Sequence, residues 1–165
     1  MKYLAVLGRQ ADISVAELEA QFGKVAKKGS LAFFECDSVP DIDHLGGSLK
    51  LAEKLPNSPI EYLQNLPEGK ITFGVSDYSA HPNARRASAE AMKLKKILTR
   101  HGRSVRIVEN KGTALSSATS LHNGLSGSKS NKLELIIVEK EWWRVIGVQD
   151  IDAYAKRDQA RPDSD

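Results

Sequence analysis

From Asn83 to His101, small and apolar residues recur at helical spacing: Ala84, Ala87, Ala91, Leu94 and Leu98 follow at intervals of 3, 4, 3 and 4. That rhythm lines one face of an α-helix, and the alanines let the helix approach a sheet closely. Arg86, Lys93 and Arg100, each 7 positions apart, fall on roughly the opposite face, flanked by Arg85 and Lys96. Glu90 is the one acid in the segment. Arg100 and His101 suit the negative end of the helix dipole, and Gly102 supplies the stop.

Short strand and helix signals surround this helix. Residues 2–8 read as a strand. Ser14-Val15-Ala16-Glu17 matches a capping box and predicts a helix opening there, running to about Phe22 and stopped by Gly23. Val25 to Lys28 and Leu31 to Cys36 form a predicted hairpin turning at Gly29-Ser30. A short helix is expected over Asp41 to Leu45 and a half-buried strand over Ser48 to Leu55, where polar and apolar residues alternate. The order β-α-β-β-α-β names a ferredoxin-like arrangement for residues 1–58.

Pro56-Asn57-Ser58-Pro59 breaks the chain and is the expected linker. After a short amphipathic stretch at Ile60 to Leu66, strands are predicted at Lys70 to Ser76, Val105 to Val108, Leu133 to Val138 and Trp143 to Val148. Ser116 or Ser117 caps a helix ending near Asn123-Gly124. Strands alternating with helices give residues 59–149 an α/β character. The expected fold class is therefore mixed, α+β then α/β, with residues 150–165 as a trailing linker.

Charge is distributed unevenly. Residues 1–80 carry 8 basic and 11 acidic side chains, residues 81–132 carry 11 and 2, and residues 133–165 carry 5 and 8. The net +3 of the chain thus conceals a strongly positive middle third, the footprint expected for a phosphate-rich partner. A solvated helix face is the alternative reading of such a run. Apolar residues at 41% and charged residues at 27% are those of a globular chain. No apolar run approaches the ~20 residues of a membrane-spanning helix, and the single cysteine, Cys36, fits a reducing compartment. A cytoplasmic protein without a membrane partner is expected.

Several motifs fail. His44, His81, His101 and His122 have no cysteine or carboxylate at metal-ligand spacing, so no metal site is expected. Gly124-Leu125-Ser126-Gly127-Ser128-Lys129-Ser130 resembles a phosphate-binding loop, but Ser128 separates glycine from lysine. It reads as a polar, basic loop. No serine-histidine-aspartate set or carboxylate pair stands out, so no catalytic residue is assigned. Trp142-Trp143 offers stacking surface, although one of two adjacent strand residues points into a core.

Three stretches together resemble the amino-terminal region of THUMP-containing RNA methyltransferases, most closely the archaeal-type, Trm11-like enzymes that methylate the exocyclic amine of a guanosine in tRNA. The first is Leu45-Gly46-Gly47-Ser48-Leu49-Lys50-Leu51-Ala52-Glu53, which in that family closes a ferredoxin-like domain. The second runs from Leu94-Lys95-Lys96 through Gly102-Arg103-Ser104-Val105-Arg106 to Leu115-Ser116-Ser117-Ala118 and Asn123, and resembles the THUMP module. The third runs from Val148 to Pro162, and its Tyr154-Ala155-Lys156-Arg157-Asp158-Gln159-Ala160-Arg161-Pro162 run, the most specific of the resemblances, leads in that family into the methyltransferase domain.

The resemblance implies a ferredoxin-like domain at 1–58, a THUMP-like RNA-binding domain at 59–149, and an interdomain linker carrying Tyr154, Arg157, Asp158, Arg161 and Pro162. It implies a tRNA partner docked by its acceptor end on Arg85, Arg86, Lys93, Lys96, Arg100, Arg103, Arg106, Ser116, Ser117, Asn123 and Lys129. The glycine-rich cofactor loop and the Asp/Asn-Pro-Pro-aromatic motif of such enzymes are absent from the sequence. A Rossmann-like domain needs ~100–200 residues, so the chain alone is not expected to be an enzyme. S-adenosylmethionine is expected to serve a methyltransferase domain beyond Asp165 or a separate catalytic subunit. The contrasting expectation is a protein-interaction module whose basic face meets an acidic partner.

Overall fold

The computed structural model describes residues 1–127 and 130–150. Its strands are β1 (Lys2–Leu7), β2 (Val25–Lys28), β3 (Leu31–Glu35), β4 (Ser48–Lys54), β5 (Ile71–Asp77), β6 (Val105–Ile107), β7 (Lys132–Val138) and β8 (Glu141–Val148). Helices are α1 (Ala11–Phe22), α2 (Pro59–Gln64), α3 (Ala84–Arg100) and α4 (Ser117–His122). All eight strands join one sheet in the order β2-β3-β1-β4-β8-β7-β5-β6. The architecture is mixed α and β, as expected.

Strands β1 to β4 pair antiparallel, with β3 between β1 and β2, the split arrangement of a ferredoxin-like unit. Its second helix is reduced to a 3₁₀ turn, Ile42–His44, where the Asp41 carboxylate accepts the Asp43 amide. β5 pairs parallel with β6 and β7, and α3 forms the crossover from β5 to β6. β8 folds back from β7 and pairs antiparallel with β4, so strands from either side of the Pro56–Pro59 break share the sheet.

Cross-strand register separates two faces. Tyr3, Glu53, Arg144 and Leu135 follow one another across β1, β4, β8 and β7. Tyr3 packs with Leu18 of α1, and Leu135 packs with Ala87, Ala91, Leu94 and Leu98 of α3. α1 and α3 therefore cover the same face, and α2 joins them through Leu63. On the other face lie Leu4, Ala52, Val145, Ile136 and Trp143, with α4 at one end. Phe33 of β3 reaches the Trp143 ring at 5.7 Å although β1 and β4 intervene, so this face is concave.

Two local expectations are corrected. α1 begins at Ala11, ahead of the predicted capping box. Ser14 donates its hydroxyl to the Gln10 carbonyl (3.0 Å) and the Gly47 carbonyl (2.7 Å). Glu17 accepts the amides of Gly46 and Gly47. The two side chains thus grip the glycine turn before β4, and a Cβ on Gly47 would lie 2.3 Å from the Ser14 hydroxyl. The second correction concerns β4, which is covered on both faces: the polar residues Ser48 and Lys50 are buried. A central strand tolerates Lys50 only because the charge finds a partner, described below.

Candidate nucleic-acid interface

α3 forms where its signals place it. The Asn83 side chain accepts the amides of Arg85 and Arg86, and Gly102 adopts a left-handed φ of 86° after the last turn. Ala87, Ala91, Leu94 and Leu98 are buried, whereas Ala84 is exposed in the first turn. The helix start is held by its surroundings. Asp77 accepts the amides of Ser79 (2.9 Å) and Asn83 (3.1 Å), locking the loop after β5. Burial alone would raise its pKa, but these hydrogen bonds and the nearby Arg86 charge hold it below the ordinary carboxylate value. Glu139, in the turn from β7 to β8, has a left-handed φ of 57°. Its amide donates to Ser79, its carboxylate accepts from Ala80, and its carbonyl accepts from Arg86.

The predicted binding residues separate into three groups. Arg85, Lys93, Lys96 and Arg100 are exposed on the outer side of α3. Among the described residues, ion pairs join Lys50 to Glu134 and Lys54 to Glu141, and neither draws on these cations. Arg86 and Arg103 are structural ties. Arg86 bonds Glu139, and Arg103 donates to the carbonyls of Leu66 (3.1 Å) and Pro67 (2.7 Å), fixing the chain after α2. The third group lies across the sheet from α3. Arg106 donates to the Asn123 side chain at 3.3 Å, and Asn123 donates to the Thr119 carbonyl. Ser116 caps α4 by accepting the Thr119 amide, while Ser117 is buried. Lys129 and the linker residues Tyr154, Arg157, Asp158, Arg161 and Pro162 lie outside the described residues.

Between these groups runs a buried polar network. The Lys50 ammonium donates to Glu134 (2.7 Å) and to the Leu115 carbonyl (2.6 Å). Glu134 also accepts from Ser76 (2.7 Å) and Ser120 (2.9 Å), and Ser76 accepts the Leu115 amide (2.8 Å). Lys50 is 2% exposed and Glu134 0%. Burial would depress the Lys50 pKa, yet the Glu134 carboxylate, assisted by Tyr78, outweighs it and holds the ammonium above its ordinary value. The network ties β4, β5 and β7 to the segment entering α4, and Gly74 leaves room for it: a Cβ there would meet Leu115 at 2.6 Å. One signal for it exists in the sequence, a single acid inside the apolar run Leu133-Glu134-Leu135-Ile136-Ile137.

The Trp pair divides as strand geometry requires. Trp143 is buried on the concave face and Trp142 packs against the α3 core. Among the described residues no cluster of three metal-ligating side chains occurs, and no helix is long and apolar enough to cross a membrane.

No protein-family model and no curated protein matches the chain. Among solved structures it is similar to one described as a 4-thiouridine synthetase–RNA complex with bound ATP. The identity is 12% and the TM-score 0.43, over 87% of this chain and 40% of that one.

Proposed function

We propose that this chain is an RNA-docking module, with the outer side of α3 as its phosphate-binding surface. The observation that carries this is the set Arg85, Lys93, Lys96 and Arg100, exposed on one helix with only Glu90 as an acid in the helix. Phosphate contacts of this kind fix register without reading sequence. The resemblance to THUMP-containing methyltransferases supports the finer reading: the RNA is a tRNA gripped near its acceptor end. In that reading an S-adenosylmethionine-dependent domain or subunit methylates a guanosine at a distance set by the protein. Arg106, Asn123 and Ser116 lie on the other face, and they serve this reading as a second contact for an RNA that wraps the β6 edge.

Counterion release provides the test. If roughly four to six phosphates are neutralised, log affinity falls against log salt with a slope of roughly −3 to −5. Lys93→Glu, Lys96→Glu and Arg100→Glu together should abolish tRNA binding while leaving the melting temperature near that of the wild type, because all three side chains are exposed. A flat salt response, or polyglutamate binding more tightly than tRNA, would overturn the reading in favour of an acidic protein partner.

A further inference from the structure

On the concave face of the sheet, the end away from α4 holds a trough of about 1280 Å³, larger than the ~300–1,000 Å³ usual for a small ligand. It runs from Ala26 and Leu31 of the β2–β3 hairpin, past Phe33 and Trp143, to Tyr78 and Val138. Round the start of β1 it continues towards Phe22. Phe33, Tyr78 and Val138 belong to the apolar cluster of this face, yet each is only half-buried. The indole N–H of Trp143 is buried without a hydrogen-bond partner. Such a surface is completed by something laid upon it.

Charge and backbone chemistry narrow what that is. Three cations, Lys2, Lys24 and Lys28, and three acids, Glu35, Glu139 and Glu141, line the trough. A lining of balanced charge does not suit a polyanion. The Glu139 carboxylate already accepts the Ala80 amide, and Glu141 meets Lys54 at 3.6 Å. The three lysines are exposed and, among the described residues, form no ion pair. The lip formed by β1 and β2 is therefore the one with unmatched charge, and it is positive. The trough crosses β3 and β8, whose backbone groups are engaged by strands on both sides. An extended peptide lying there would bury its own amides unpaired, whereas a helix satisfies them internally.

We propose that this trough docks an amphipathic helix of a partner protein, with its apolar stripe on Phe33, Tyr78 and Val138 and an acidic flank against Lys24 and Lys28. The proposal stands independently of the RNA reading. α3 covers the opposite face of the sheet, so the trough can be filled while the outer cations of α3 remain open.

The test uses the full chain and two labelled, hydrocarbon-stapled peptides of about 18 residues, long enough to hold a helix. Both carry leucines at i, i+3, i+4 and i+7; one has glutamates on the flank of that stripe and the other lysines. Fluorescence anisotropy should show the glutamate peptide binding about tenfold more tightly, since attraction at two exposed lysines replaces repulsion. Lys24→Glu with Lys28→Glu should reverse the preference. Ala26→Arg, which places a charged side chain in the trough, should weaken the glutamate peptide about tenfold. All three positions are exposed, so thermal melting should show each variant folded like the wild type. A glutamate preference that survives the charge reversal, or failure of both peptides to bind, overturns the proposal. Displacement of the bound peptide by tRNA also overturns it and gives the trough to RNA. A dimer in analytical ultracentrifugation that Ala26→Arg dissolves overturns it in favour of a second copy of this chain.

Discussion

Lys50 and Glu134 stand 84 positions apart in sequence and 2.7 Å apart in space. Removing one member of a buried ion pair strands the other, at a cost of about 3–5 kcal/mol, whereas removing both charges is often close to neutral. Lys50→Met should therefore destabilise the chain by about that amount in urea unfolding. Lys50→Met with Glu134→Gln should recover most of it, since glutamine retains groups for Ser76 and Ser120. Additive losses in the double variant would show that the two charges do not act as a pair. The contact is illegible from local pattern. Lys50 occupies what alternation marks as a solvent phase, and only its distant partner makes the buried position tolerable.

Helix α3 was readable from end to end because its signals are local: Asn83 at the start, the alanine and leucine stripe, Gly102 at the stop. α1 misled because Ser14 and Glu17 have capping-box spacing, yet both are recruited by the Gly46-Gly47 turn 29 to 33 residues away. The candidate surface shows the same division. Charge density identified the exposed cations of α3, but composition does not reveal that Arg86 and Arg103 are tied to carbonyls. The start of α3 also carries a pH dependence. The Asp77 pKa is lowered on folding, so its contribution is complete above the unfolded value of ~3.9 and is lost as pH falls through the folded value. Between pH 5 and pH 2 the wild type should lose more stability than Asp77→Asn, measured by thermal melting at each pH. Equal losses would show that Asp77 does not titrate in this way.

At the scale of the whole molecule, β4 against β8 and the Lys50–Glu134 contact bind the two halves of the chain into one sheet. Cooperative unfolding is the expected consequence. Tryptophan fluorescence, which reports on β8 through Trp142 and Trp143, and far-UV circular dichroism should give coincident thermal transitions. Two separated midpoints would mean that the halves unfold independently. The strand segments and their sequence-local pairing were legible from turns and alternation. The insertion of β8 between β4 and β7 was not, because an antiparallel partner so remote leaves no periodic mark on either strand.

The sheet ends in β2 and β6, spanning only Val25–Lys28 and Val105–Ile107, with Lys27, Lys28 and Arg106 set along them. Long, flat, apolar margins act as templates on which further molecules accrete into cross-β ribbons. Brief, positively charged margins repel one another and give an incoming strand little to zip against. Copies of this chain are thereby offered little on which to grow end to end through either border.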